Sequence, residues 1–107
     1  MIRSVLSLTP KVGASQDLVQ FFEDREIPQR ALATPGCLGV EVQTLLPDGG
    51  EVLVTALWTS ASSYRAWLES AGRLEDGALM RPLLAGGGEV VAAARLYDIG
   101  QRAARPD

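Results

Sequence analysis

The side chains of this chain best equipped for chemistry are two tryptophans, a tyrosine and a few arginines, because the usual catalysts are missing. The sequence has no histidine, no asparagine, a single cysteine (Cys37) and a single lysine (Lys11) beside nine arginines. A Ser-His-Asp triad or a Cys-His pair cannot be assembled from it. Zinc, copper and haem iron lose their commonest ligands, so no metal site is expected. Acid–base work falls to carboxylates, tyrosine, arginine or the substrate itself. Lys11 lies in a predicted turn, which argues against Schiff-base chemistry.

Trp58 closes an apolar run on the same strand face as Val52, Val54 and Ala56. It stands either at the rim of a pocket or in the core with its N–H on a carbonyl. Tyr64 and Trp67 share the inner stripe of a short helix, where a tyrosine offers an O–H donor and a weak acid; packing alone would place them there too. Arg25 and Gln29 project from the middle of the Leu18–Phe22–Leu32 stripe. A guanidinium there needs a carboxylate, a carbonyl or a bound anion. Otherwise Arg25 snorkels to water, or Pro28 shifts the helical phase. Arg81, between Met80 and Pro82, either reaches the pocket or answers the negative end of a helix. Cys37 reads as buried filler. Gly86-Gly87-Gly88 precedes a strand and lacks the Lys-Ser/Thr of a phosphate loop. Ala56, Ala92 and Ala94 opposite aromatic rings leave room for a ligand cavity.

The elements that must position these residues follow from periodicity and punctuation. Residues 2–9 alternate loosely and predict a strand. Pro10-Lys11-Val12-Gly13 is a turn. Ser15 caps a helix running to about Ala33, with Leu18, Phe21, Phe22 and Leu32 on one face and Pro28 kinking or ending its regular part. After Thr34-Pro35-Gly36, residues 37–46 form a second strand, with Leu38, Val40 and Val42 on one face and Glu41 and Gln43 on the other. Pro47-Asp48-Gly49-Gly50 is a hairpin turn, and residues 51–58 form the third strand. Ser60 caps a helix carrying Tyr64, Trp67, Leu68 and Ala71 at i, i+3, i+4 and i+7. A further helical piece spans about Leu74 to Leu84, disturbed by Gly77 and Pro82. Residues 89–99 form the last strand.

The order β-α-β-β-α-α-β is the split βαβ layout, an α+β ferredoxin-like fold. The expected domain is 1–100, with 101–107 a flexible C-terminal tail. In the third strand Leu53, Thr55 and Leu57 oppose Val52, Val54, Ala56 and Trp58, so both sheet faces read as apolar. One face meets the helices; the other is expected to meet a second copy, making a homodimer.

The chain's 107 residues fit one domain. Charged residues are 21% and the net charge is −3, with no basic stripe, so nucleic acid is not an expected partner. No apolar run approaches the length of a membrane span, and residues 1–5 do not read as a secretion signal. With one cysteine no internal disulfide forms, and a reducing cytoplasm is the expected location.

Two short segments carry a likeness: Thr34-Pro35-Gly36-Cys37-Leu38 before the second strand, and Leu57-Trp58-Thr59-Ser60 at the end of the third. With the overall pattern of residues 2–99 the chain resembles the antibiotic biosynthesis monooxygenase family. Through Trp-x-Ser-x-x-x-Tyr-Arg, from Trp58 to Arg65, it looks most like the cofactor-free anthrone monooxygenases of aromatic polyketide pathways. The resemblance implies a dimeric α+β barrel in which two sheets pack face to face, each subunit keeping a pocket between sheet and helices. It implies no cofactor, with O2 as co-substrate. It implies catalytic roles for Trp58 and Tyr64, and for Arg81 if about three residues are inserted before it. Arg25, Gln29, Phe22, Val54 and Trp67 complete the set expected to bind the substrate. Two departures stand out: the oxygenases carry asparagine where this chain has Val54, and tyrosine where it has Val42. The family's haem-degrading branch needs a histidine after the tryptophan, and this chain has none.

Three functions compete on this reading. The first is oxidation of an aromatic polyketide intermediate, an anthrone or naphthol, whose carbanion reacts with O2 directly while the protein excludes water and stabilises the enolate. The second is a polyketide cyclase or isomerase that uses the same enolate stabilisation without O2. The third is a small-molecule-binding dimer without chemistry, marked by a pocket that Trp67, Phe22 and Leu84 fill.

Overall fold

The computed structural model describes residues 1–86 and 93–106. Four antiparallel strands form one sheet in the order β2-β3-β1-β4: β1 Ile2–Leu8, β2 Cys37–Thr44, β3 Val52–Trp58 and β4 Arg95–Asp98. The helices α1 (Ser15–Asp24), α2 (Ile27–Leu32), α3 (Ala61–Leu68) and α4 (Ala71–Met80), with a single 3-10 turn at Arg81–Leu83, complete the ferredoxin-like α+β order. Of the expected last strand, residues 89–92, Ala92 among them, lie outside the described residues, as do Gly87 and Gly88.

The inner sheet face carries Ser4, Leu6 and Leu8 from β1 opposite Ala56, Val54 and Val52 from β3. Burial of Leu8, Leu18, Phe22, Ile27, Val52, Met80 and Leu84 makes one core under α1, α2 and α4, and Ala56, Trp58 and Tyr64 make a second under α3. Removing such side chains from water is the main stabilising contribution, about 1.5–3 kcal/mol for each large one.

The single long helix expected over 15–33 is instead two. The chain breaks at Arg25-Glu26, where Glu26 takes φ 53°, a left-handed backbone that ends a regular helix. Pro28 then occupies the first turn of α2, where its missing N–H has no intrahelical partner to lose. The break resets the helical phase. Ile27 and Ala31 become the inward pair, while Gln29 and Leu32 turn to solvent. Ser15 lies inside α1 rather than capping it; Ala14 holds the cap position without a side-chain bond. Ser60 caps α3 as expected, accepting from Ser63 N at 3.3 Å. A second cap, Ser70, ends the Tyr64 stripe early and starts α4 at Ala71, so Ala71 is exposed rather than on that stripe.

In β2 the register shifts between Cys37 and Gly39, so Leu38 is an extra residue in the ladder. A bulge of this kind reverses the side-chain alternation. Leu38 therefore joins Glu41 on the outer face, while Cys37, Val40 and Val42 pack inward. Nor is the outer face uniformly apolar. Arg3, Glu41, Gln43 and Thr55 interrupt Leu53 and Leu57 there, and Gln43 donates to both Thr55 and Glu41. A groove of about 260 Å³ on this face runs past Arg3, Leu57 and Arg102.

Candidate functional site

Between the inner sheet face and the helices lies a small apolar cavity. Its floor is Ser4 and Leu6 of β1, Val40 of β2 and Val54, Ala56 and Trp58 of β3. Its roof is Phe22, Ile27, Ala31, Tyr64, Trp67 and Met80, with Ala94 at the edge. Two charged residues of α4, Arg73 and Asp76, also reach it. The open space is about 40 Å³, room for a few water molecules and well below the several hundred Å³ of a drug-sized pocket.

Trp58 is 1% exposed and donates its indole N–H to Ser4 Oγ at 2.9 Å. Its partner is thus a side-chain hydroxyl across the β1–β3 ladder rather than a carbonyl. Tyr64 stands edge-on to the indole, ring centroids 5.7 Å apart, and its hydroxyl accepts from Ala94 N at 2.8 Å. The sequence Pro35-Gly36 lets α3 approach this closely. Gly36 sits at φ +90°, and a Cβ there would clash with the Ser63 and Thr59 side chains.

Asp76 is fully buried. Its carboxylate accepts from Arg25 Nε at 2.7 Å and from Arg30 Nη2 at 2.5 Å. The Asp76 hydrogen bond, assisted by the charges of Asp76 and Glu75, raises the Arg25 pKa above its ordinary value despite some desolvation. Arg30 also bonds Arg25 O at 3.0 Å, lies 5.9 Å from the Trp67 ring centroid, and passes so near Gly72 that a Cβ there would meet its Nη1 at 2.7 Å. The two arginines thus tie the α1–α2 break to α4. Burial pushes the Cys37 thiol above its usual range, while Gly39 O receives its weak bond.

Of the residues singled out in the sequence, Trp58, Tyr64, Phe22, Val54 and Trp67 meet around the cavity. Arg25, Gln29 and Arg81 do not. Arg25 found the carboxylate it needed in Asp76, and Gln29 is exposed after the phase reset. Arg81 lies in the 3-10 turn, its Nε buried and without a hydrogen bond among the described residues. Ser4, Arg73 and Asp76 were missed. A polar residue at an inward strand position, between Ile2 and Leu6, was the available signal for Ser4. The i, i+3, i+7 spacing of Arg73, Asp76 and Met80 was the signal for the other two. Among the described residues no group of three His, Cys, Asp or Glu is placed to hold a metal ion.

The family profile described as antibiotic biosynthesis monooxygenase matches residues 1–75. The chain belongs to this family. Comparison with curated proteins gives no significant match. Among solved structures, a protein from Deinococcus radiodurans that carries the family's name is 20% identical with TM-score 0.77, covering 100% of both chains. Rv0793 from Mycobacterium tuberculosis is 18% identical with TM-score 0.75, over 96% of this chain and 98% of that one. An asparagine-to-alanine variant of SnoaB, a cofactor-independent oxygenase from Streptomyces nogalater, is 19% identical with TM-score 0.74, over 94% of each chain. At such identities these likenesses establish the fold, and the described order of strands and helices is the family's.

Proposed function

We propose that the protein is a cofactor-independent monooxygenase that oxidises an electron-rich, enolisable aromatic compound, an anthrone or naphthol of aromatic polyketide type, with O2 as co-substrate. The observation that carries this reading is a largely apolar cavity that Tyr64 and the buried Arg73 border, while the charge of Asp76 beside them is met by Arg25 and Arg30. In such a low-dielectric site a cation and a hydroxyl donor favour the enolate over its neutral form. The enolate carbon passes one electron to O2, the two radicals join in a C–O bond, and loss of water leaves a carbonyl. For an anthrone the balance is CH2 plus O2 giving C=O plus H2O, with the substrate supplying all the electrons. Trp58 and Trp67 hold the flat rings and exclude water. SnoaB, of similar fold, lends support to chemistry without a cofactor.

At about 40 Å³ the space takes neither two nor three fused rings as it stands, so the substrate enters only as the roof parts, and a naphthol needs the smaller opening. The same narrowness favours a second reading, a small-ligand binder in which Phe22 and Trp67 fill the space. Metal-free protein is expected to convert a naphthol faster than buffer does in air and not at all without O2. Turnover that persists without O2 would make it a cyclase or isomerase, and equal rates with and without protein would leave only binding.

The protein is further proposed to work as a homodimer. Leu38 and Tyr97 remain about half exposed at the outer face, beside Leu53 and Leu57, and a second sheet would cover them. Sedimentation is expected to give twice the chain mass at micromolar concentration; a stable monomer there would contradict this.

A further inference from the structure

Buried hydroxyls have one proton to give and lone pairs to fill. At Ser4 the lone-pair side is already engaged. Trp58 Nε1 donates to its Oγ at 2.9 Å, and the residue is 4% exposed on the cavity floor. The Ser4 proton has no acceptor among the described residues. Tyr64 repeats the arrangement, since its hydroxyl accepts from Ala94 N and its own proton likewise has no acceptor among the described residues. An accepted hydrogen bond polarises a hydroxyl toward donating its own proton. A buried donor without a protein acceptor is costly, and a ligand oxygen that displaces water from the cavity would relieve it.

We propose that Ser4, polarised by the Trp58 N–H, contacts the substrate directly and donates to its oxyanion, so that Ser4 and Tyr64 form a two-donor site for a phenolate or enolate oxygen. This deepens the oxygenase reading above and rests on its enolate. The ligand chemistry, however, does not require oxidation: any flat compound ionising at an aryl or enol oxygen fits. Ala56 stands opposite Ser4 in the ladder, and its single methyl keeps the approach to the hydroxyl open. A strand residue is also a rigid platform, which is what preorganised anion stabilisation needs.

Binding of para-nitrophenol tests this without O2 chemistry, because its absorbance distinguishes phenolate from phenol. Nitrobenzene, flat and without the hydroxyl, serves as the neutral control. Wild-type protein is expected to bind the phenolate in preference to the phenol. Ser4→Ala is expected to weaken phenolate binding about tenfold, the scale of one hydrogen bond to a charged group, while leaving nitrobenzene binding unchanged. Ser4→Thr should restore the preference. Trp58→Phe, which keeps the hydroxyl but removes its polarising donor, should lower it severalfold, and supplies the test if Ser4→Ala does not fold. Equal loss of both ligands would make Ser4 merely a support for Trp58 and overturn the proposal, as would absence of phenolate binding to wild-type protein. If phenolate binding follows Ser4 but no O2 is consumed, the oxygenase reading fails and this one stands. If O2 is consumed but Ser4→Ala leaves phenolate preference intact, the reverse holds.

Discussion

Replacing Asp76 with alanine is expected to destabilise the fold by about 3 kcal/mol, the lower part of the range for breaking a buried ion pair on one side. Asp76 is fully buried and accepts from two guanidinium groups. Without it Arg25 and Arg30 lose their shared acceptor, but their side chains are 32% and 34% exposed and can turn partly to water, which keeps the loss from the top of that range. The damage extends beyond one contact. Arg30 also closes onto Arg25 O and lies against Trp67, so the α1–α2 break and the cavity roof loosen together. In a domain of this length the loss corresponds to a fall in Tm of roughly 10–20 °C. Asp76→Asn keeps the shape and one acceptor and should fall between. Thermal unfolding of the three proteins checks this, and an Asp76→Ala protein melting within about 2 °C of wild type would contradict the clamp.

Arg73→Ala is expected to lower kcat/KM for the oxidation about a hundredfold, the scale of one preorganised group facing a developing oxyanion. Arg73 is 8% exposed and, among the described residues, is the arginine that borders the cavity. Arg73→Lys keeps the charge but not the planar fork, and should recover only part of the rate. Arg81→Ala, by contrast, should leave the rate within about twofold, as substitutions away from a site do. If Arg81→Ala proves the damaging change and Arg73→Ala the silent one, the enolate is held elsewhere than this cavity.

The ferredoxin-like order was legible because each element announces itself through periodicity: alternation in β3, the Ser60 cap before α3, and the turn residues at 34–36 and 47–50. The aromatic part of the site was legible for the same reason, since Trp58 and Tyr64 lie on faces that the periods assign inward. Its polar part was not. A continuous helical wheel through residues 15–33 puts Arg25 and Gln29 at the centre of a stripe; Arg25, before the break, meets Asp76 as such a position requires, while the left-handed turn at Glu26 sends Gln29 to solvent, a phase shift that Pro28 announces without fixing its place. The bulge that sends Leu38 outward likewise leaves no mark beyond an ordinary Leu-Gly pair. Spacing puts Arg73 and Asp76 on one helix face with Met80, but their charge alone reads as surface. The burial of Asp76 depends on Arg25 and Arg30, distant along the chain, arriving to pair with it. Pairings of that kind are set by tertiary packing, which local spacing does not encode.

The most direct measurement is oxidation of a naphthol or anthrone under isotopically heavy O2 by protein freed of metals. The account predicts one heavy oxygen atom in the new carbonyl of each product molecule, the other leaving as water, at a rate proportional to protein. Product oxygen drawn from solvent, or a rate unchanged by the protein, would contradict it.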